Sequence, residues 1–170
     1  DAYQLGQLPL AERFVSESIE VYQRILPPLD ARRLRADSYL GLIRLHSGDL
    51  PGAETQLRGV VARESSASGV TPSARLASLR YLARALRWQG RAQAALDLLE
   101  GEPAASLLGS TSLSANDRAR TEIEAALVYI DLDNWSAAEQ CLDAAAQAYG
   151  GIEQAAAGDH GLWLLARSYV

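Results

Sequence analysis

The sequence predicts an all-α fold built from antiparallel helix pairs, and three observations favour this fold class. The 170-residue chain is rich in Ala, Leu, Arg, Glu and Gln, which are strong helix formers. Val and Ile are sparse and scattered, so an extended sheet is not expected. A turn signal, followed by a small and then a large apolar residue, recurs at a regular interval. With 48% apolar and 22% charged residues, the composition is that of an ordinary globular domain.

The repeating unit is clearest in residues 37–61, where Gly48 marks a turn between two short helical segments. Ala53 and Leu57 lie five and nine residues after this anchor. The same spacing follows three further anchors, which are Gly6 (Ala11, Val15), Gly90 (Ala95, Leu99) and Asp133 (Ala138, Leu142). The four anchors are 42, 42 and 43 residues apart. A fixed period of this length indicates a repeat architecture, in which a single pair cannot bury its own apolar face and neighbouring pairs stack.

Apolar periodicity, N-cap residues and helix breakers predict the individual helices. The predicted N-caps are Asp30, Asp49, Thr71 and Ser114, the last in a capping box with Asp117. The predicted helices cover residues 8–26, 31–47, 50–63, 72–88 or 89, 91–100, 115–132, 135–149 and 159–170, and residues 1–7 are expected to end an earlier helix. The stretches 64–71 and 101–114 are predicted loops, the second held by Leu107 and Leu108. Small residues are expected to meet where paired helices cross, as in Gly41–Ala53, Ala83–Ala95 and Ala126–Ala138.

Charge and cysteine content exclude several classes of protein. The net charge of −5 argues against general nucleic-acid binding, which needs a basic field. Cys141 is the single cysteine, so it forms no internal disulfide, and it is expected to be a small core residue. No apolar run approaches the ~18 residues of a membrane span and no signal peptide is present, so a cytoplasmic location is the default expectation. Because the chain lacks Met and begins at Asp1 within a plausible repeat, we expect a piece of a longer protein.

No catalytic or metal-binding motif is found in the sequence. It contains no phosphate-binding loop, no zinc-ligand cluster and no nucleophile elbow. Of the two histidines, His46 is expected at a helix C-terminus, where a cation meets the helix dipole favourably. We therefore expect no enzymatic activity, no metal site and no cofactor.

The strongest candidate site is a row of arginines on the predicted helix 72–88 and its turn. The row consists of Arg80, Arg84, Arg87 and Arg91, which helical spacing places on one face. Guanidinium groups pair bidentately with carboxylates, so such a row beside apolar residues suits an acidic, partly apolar peptide. Two other interpretations remain open: a solvated charged face, or arginines paired with acids of a neighbouring repeat.

The repeat residues resemble those of the tetratricopeptide repeat family, whose unit has a Leu-Gly or Leu-Ala step, an aromatic residue, a turn Gly, and an Ala four residues before a large apolar residue. The matching positions are Leu40-Gly41, Gly48, Ala53 and Leu57, then Leu82-Ala83, Gly90, Ala95 and Leu99, then Ala125-Ala126, Tyr129, Ala138 and Leu142. Arg44 and Leu86 replace the usual aromatic residue, and Asp133 replaces the last turn Gly. The period is longer than the family's common one and is similar to that of kinesin light chains and many bacterial regulators.

The resemblance implies a right-handed superhelical array of antiparallel helix pairs, a single repeat domain over residues 1–170. The expected units are residues 1–28, 31–64, 72–100, 115–149 and a partial unit at 159–170. In this family the first helix of each pair lines a concave groove that binds extended peptides. The positions matching that groove are Ser38, Leu42, Leu45, Arg80, Arg84, Arg87, Arg120, Ile123, Leu127 and Ile130.

The leading functional hypothesis is a protein-interaction scaffold that binds a peptide or a partner domain in the groove, with Arg80, Arg84 and Arg87 supplying charge complementarity. An alternative is a sensory or regulatory domain of a bacterial transcription regulator or protein kinase. A third is a noncatalytic segment of a multidomain enzyme. A fused DNA-binding or kinase domain in the full-length gene would favour the second hypothesis, and a chain made only of repeats would favour the first.

Overall fold

The computed structural model describes residues 7–170, which form helices joined by turns and contain no strand. The helices are α1 (Leu8–Ile25), α2 (Ala31–His46), α3 (Leu50–Ser66), α4 (Pro72–Trp88), α5 (Ala92–Glu100), α6 (Ala104–Leu108), α7 (Ala115–Asp131), α8 (Trp135–Tyr149) and α9 (Ala157–Arg167), with a short 3-10 helix at Ile152–Gln154. The predicted all-α fold is confirmed.

The chain divides into two compact units. The first ends at Ala85 and the second begins at Leu86, so the boundary falls within α4. The single repeat domain over residues 1–170 stays a prediction. The anchor Gly6 and the helix end expected at residues 1–7 lie outside the described residues, except for residue 7.

The turn between α2 and α3 shows how the repeat reverses the chain. Gly48 has φ +86°, a left-handed conformation that glycine adopts without Cβ strain. Asp49 caps α3, because its Oδ1 accepts a hydrogen bond from the Gly52 N–H at 3.0 Å. Pro51 lies in the first turn of α3, where no N–H is needed. The predicted anchor and cap of this unit are confirmed.

The close approach of α2 and α3 depends on Gly41, which has no side chain. A Cβ atom at Gly41 would lie 2.6 Å from Cγ of Leu57, and its three nearest neighbours would all be Leu57 atoms. Leu57 is fully buried, as is Ala53 one turn earlier on the same helix. The side chain that fills the space beside Gly41 is therefore Leu57, whereas the sequence suggested Ala53.

Helix α3 continues to Ser66, past its predicted end near Arg63, so the first part of the predicted loop 64–71 is helical. The reason is Glu64, which is only 3% exposed and accepts a hydrogen bond from Ser78 Oγ on α4 at 3.0 Å. This contact secures the last turn of α3 against α4, although the composition of the stretch favours a loop.

The other predicted N-caps are also confirmed by their hydrogen bonds. Each cap side chain accepts a bond from a backbone N–H two or three residues later: Asp30 from Arg32 at 2.9 Å, Thr71 from Ala74 at 3.2 Å, and Ser114 from Asp117 at 3.1 Å. The Ser114 hydroxyl also donates to the Asp117 carboxylate at 2.7 Å. The N-cap of α7 is therefore confirmed, and Asp117 contacts the Ser114 hydroxyl instead of its backbone N–H.

In the second unit, left-handed residues again make the turns at the predicted anchors. Gly90, between α4 and α5, has φ +74°, and Asp133, between α7 and α8, has φ +57°. The predicted loop 101–114 is partly wrong, because it contains the short helix α6. In this connection, the buried residues include Ala104 and Leu113. The residues predicted to hold it in place, Leu107 and Leu108, are half-buried.

One core cluster of the second unit is formed by residues of α7, α8 and α9. Its buried residues are Ala119, Ile123, Ala126, Leu127, Leu142, Ala145, Tyr149 and Ala166. Trp163 on α9 packs against this cluster and donates its indole N–H to the Leu142 carbonyl at 2.9 Å. Helix α9 therefore packs on the α7–α8 pair in the way expected of the first helix of a further unit.

Candidate functional site

The three candidate groove residues on α2 are buried in the first unit. Ser38, Leu42 and Leu45 are 6%, 7% and 0% exposed. The Ser38 hydroxyl is 3.0 Å from that of Ser78 on α4, so it links the two helices. In the described structure these residues position α2, and they offer little surface to a partner.

Two of the candidate arginines, Arg80 and Arg84, lie on α4 in the first unit. Arg80 is 6% exposed, whereas Arg84 is half-buried. The pKa of His46, at the end of α2, is lowered by burial and by the positive charge of Arg84. Arg84 is therefore the member of this pair with appreciable surface, and its charge acts on the end of α2.

Arg87 belongs to the second unit and is held by two acids of α7. Its Nε is 3.7 Å from Glu124 Oε1, and its Nη1 is 3.3 Å from Asp131 Oδ2. Glu124 is fully buried, and an opposite charge nearby offsets part of the cost of burying a polar group. Of the interpretations given for the arginine row, Arg87 therefore follows the one in which an arginine pairs with acids of a neighbouring repeat.

The candidates on α7 divide between core and surface. Ile123 and Leu127 are 1% and 6% exposed and belong to the core of the second unit, against which Ile130 also packs. The Arg120 side chain is 41% exposed, and its Nε donates to Asp159 Oδ2 on α9 at 2.8 Å. Arg120 is therefore the α7 candidate with a charged group near solvent.

A chain of buried polar groups in the first unit was missed by sequence analysis. Ser78 donates to Glu64 Oε1, so its oxygen is the acceptor of the hydrogen bond from Ser38. Burial raises the pKa of Glu64 to about 7, against the opposing effects of the Ser78 hydrogen bond and of Arg75 and Arg63. No sequence signal marked Glu64, because it opens a polar stretch with the composition of a loop.

The remaining titratable groups give no sign of nucleophilic chemistry. Burial, reinforced by Glu122, raises the pKa of the half-buried Cys141 thiol to about 12, so the thiol stays protonated. Among residues 7–170, no three His, Cys, Asp or Glu side chains are grouped to hold a metal ion. No helix in that part of the chain is long and apolar enough to cross a membrane.

Antiparallel helix pairs, left-handed turns at a fixed period and a small residue at the helix crossing define the class of helical-pair repeats. Within that class, residues 75–101 match the family model described as the tetratricopeptide repeat. The chain thus contains a tetratricopeptide repeat, and the resemblance noted in the sequence is confirmed. The matched segment includes Arg80, Arg84 and Arg87.

Two solved structures have the same fold. The crystal structure of TPR-like repeats described as those of a kinesin light chain from Podosopora anserina matches with a TM-score of 0.67 and 21% sequence identity, over 99% of this chain and 89% of that chain. A variant of that protein gives the same values. At this identity the likeness shows the fold alone. No curated protein sequence matches the chain.

Proposed function

We propose that the chain is a protein-interaction scaffold that binds a peptide or a partner domain on the first-helix side of its repeats. The observation that carries the proposal is the tetratricopeptide repeat match over residues 75–101, because repeats of this family generally bind proteins or peptides. Arg80, Arg84 and Arg87 lie inside this segment, on the helix that the family uses for binding.

In the first unit, the proposed contact is Arg84. Arg84 is half-exposed, and its positive charge adds to the effect of burial in lowering the pKa of His46 at the end of α2. The other candidate residues of this unit are buried, and we assign them a supporting role: Ser38, Leu42, Leu45 and Arg80. The hydroxyl contact between Ser38 and α4 holds the supporting helix in register.

In the second unit, the proposed contact is Arg120, supported by Ile123 and Leu127. Its guanidinium is paired with Asp159 and its side chain is 41% exposed, so an acidic partner can share or replace that pairing. Arg87 is 15% exposed and already lies beside two carboxylates. We assign Arg87 the role of a structural contact to α7 within the second unit.

The partner that fits these contacts is acidic and partly apolar. Exposed arginine–carboxylate contacts are screened by salt, so binding should weaken as ionic strength rises. A purely apolar partner would show the opposite or no dependence on salt.

The experiment is a fluorescence-anisotropy titration of a pool of labelled, extended peptides rich in Asp, Glu and Leu. Arg84→Glu should weaken binding about tenfold or more, because reversal replaces attraction by repulsion at the contact. The matched control is Arg58→Glu on α3, an exposed arginine whose i,i+4 pair with Glu54 contributes little to stability. Circular dichroism checks that both variants are folded. Wild-type affinity in Arg84→Glu would show that this face does not bind the peptide.

A further inference from the structure

A pocket of about 160 Å³ lies in the first unit, on a different part of α2 and α4 from the arginine row. Its walls are the first turns of α2 and α4, the last turn of α3 and the connection between α3 and α4. A cavity of similar size accommodates a molecule of about six non-hydrogen atoms. The pocket therefore suits a small molecule better than a peptide segment.

One wall of the pocket is apolar and belongs to a packed cluster. Ala31 and Ala74 line the pocket together with Val70, and all three pack in the cluster around Leu34 and Ala67. These apolar side chains are short, so they leave space in the pocket and offer no hydrogen bond to a ligand. They fit a short, branched hydrocarbon tail.

Two arginines of α2, Arg32 and Arg35, also line the pocket. Arg32 is bound by Asp30, with Nε–Oδ1 and Nη2–Oδ2 distances of 3.0 and 2.9 Å. Arg35 contacts the ring and hydroxyl of Tyr39 and has no carboxylate partner among residues 7–170. A guanidinium at a pocket wall that lacks an acid is suited to an incoming carboxylate.

Glu64 of α3 lines the same pocket. Its Oε1 accepts the hydrogen bond of Ser78, while its Oε2 makes no hydrogen bond within the described part of the chain. A buried carboxyl group in this position acts as a donor when protonated and can share its proton with a second carboxylate.

We propose that this pocket binds a small monocarboxylic acid with a short apolar tail. The carboxylate lies between Arg35 and Glu64, and the tail lies against Ala31, Val70 and Ala74. The site does not depend on the partner-binding surface proposed above. It adds a small-molecule ligand to a protein whose fold is otherwise associated with protein partners.

The protonation of Glu64 makes this binding pH-dependent. Burial raises the pKa of Glu64 to about 7, so the neutral donor predominates below that pH and a repelling carboxylate above it. Between about pH 6 and about pH 8.5 the neutral fraction falls roughly thirtyfold, and the apparent affinity falls with it. The charged groups that act on Glu64 are Arg75 on α4 and Arg63 on α3, which is paired with Asp37. Arg32 and Arg35 on α2 line the same pocket.

The test is an NMR titration of the ¹⁵N-labelled chain with isobutyrate at those two pH values, with isobutanol as the uncharged probe. We expect saturable shifts confined to the residues that line the pocket, about thirtyfold weaker binding at the higher pH, and no response to isobutanol. A blocked tripeptide with a central Glu forms a second arm. Tighter binding of the tripeptide would place the carboxylate on a peptide side chain, and binding of isobutyrate alone would make the ligand a free acid.

Two variants separate ligand binding from folding. Glu64→Gln keeps a donor and an acceptor but cannot ionise, so isobutyrate should bind equally at both pH values. Arg35→Ala, at an exposed position, should stay folded and weaken isobutyrate binding at least tenfold. The proposal is overturned if neither carboxylate probe gives saturable shifts, if the shifts lie outside the pocket, or if wild type and Glu64→Gln share the same pH dependence.

Discussion

Replacing Gly41 with alanine tests whether α2 and α3 pack as closely as the structure places them. The new Cβ would lie 2.6 and 2.7 Å from Cγ and Cδ2 of Leu57, about 1 Å inside normal contact. Leu57 is fully buried, so it cannot move aside into solvent. Overpacking of this kind costs about 1–3 kcal/mol, and the better helix propensity of alanine returns about 1 kcal/mol. We expect a net loss of up to about 2 kcal/mol in the free energy of unfolding.

Urea denaturation followed by circular dichroism measures this loss, and α3 provides a matched control. Gly59 is also an interior helical glycine, but nothing lies within 4 Å of a Cβ built there. Gly59→Ala should therefore stabilise the protein by about 1 kcal/mol. If Gly41→Ala stabilised the protein by the same amount, the close contact between Gly41 and Leu57 would be refuted.

Three further predictions concern buried charge and capping. The raised pKa of Glu64 means that its protonated form stabilises the fold below about pH 4.5 and that this contribution is lost as pH rises through about 7. Glu64→Gln should therefore gain up to about 3 kcal/mol over wild type at about pH 8 and little at about pH 5, measured by urea denaturation. Arg87→Met removes a guanidinium that lies 3.7 Å from the buried Glu124 carboxylate and should cost up to about 3 kcal/mol, most of it recovered by adding Glu124→Gln. Ser114→Ala removes the N-cap of α7 and should cost about 1 kcal/mol.

Each of these has a clear opposing result. Parallel pH profiles for wild type and Glu64→Gln would mean that the carboxyl group is as well solvated in the folded chain as in the unfolded one. An Arg87→Met variant with wild-type stability would show that Glu124 does not depend on that guanidinium. If Ser114→Ala had wild-type stability, the N-cap hydrogen bond would not contribute to holding the start of α7.

Local backbone signals in the sequence predicted most of the fold. Gly48 and Asp133 mark turns because few residues tolerate a left-handed backbone, and both have positive φ. Asp49 and Thr71 were identifiable because a cap needs only a short polar side chain before the helix. Such features depend on neighbours in the chain, so they can be recognised without tertiary information.

Features that depend on distant contacts were not predictable. Glu64 extends α3 because Ser78, on the next helix, hydrogen-bonds its buried carboxyl group. Leu42 and Leu45 were assigned to a groove from family positions, but exposure depends on what packs over each face. For the same reason, helical spacing placed Arg84 and Arg87 in one row without showing that Arg87 lies beside two carboxylates of α7.

The most direct test of the proposed function is to map the binding surface of the tightest acidic peptide by NMR on the ¹⁵N-labelled protein. The proposal predicts saturable shifts centred on Arg84 in the first unit or on Arg120 in the second, weakening as salt is raised. Saturable shifts centred instead on the second helices α3 and α8, or a complete absence of saturation, would contradict it.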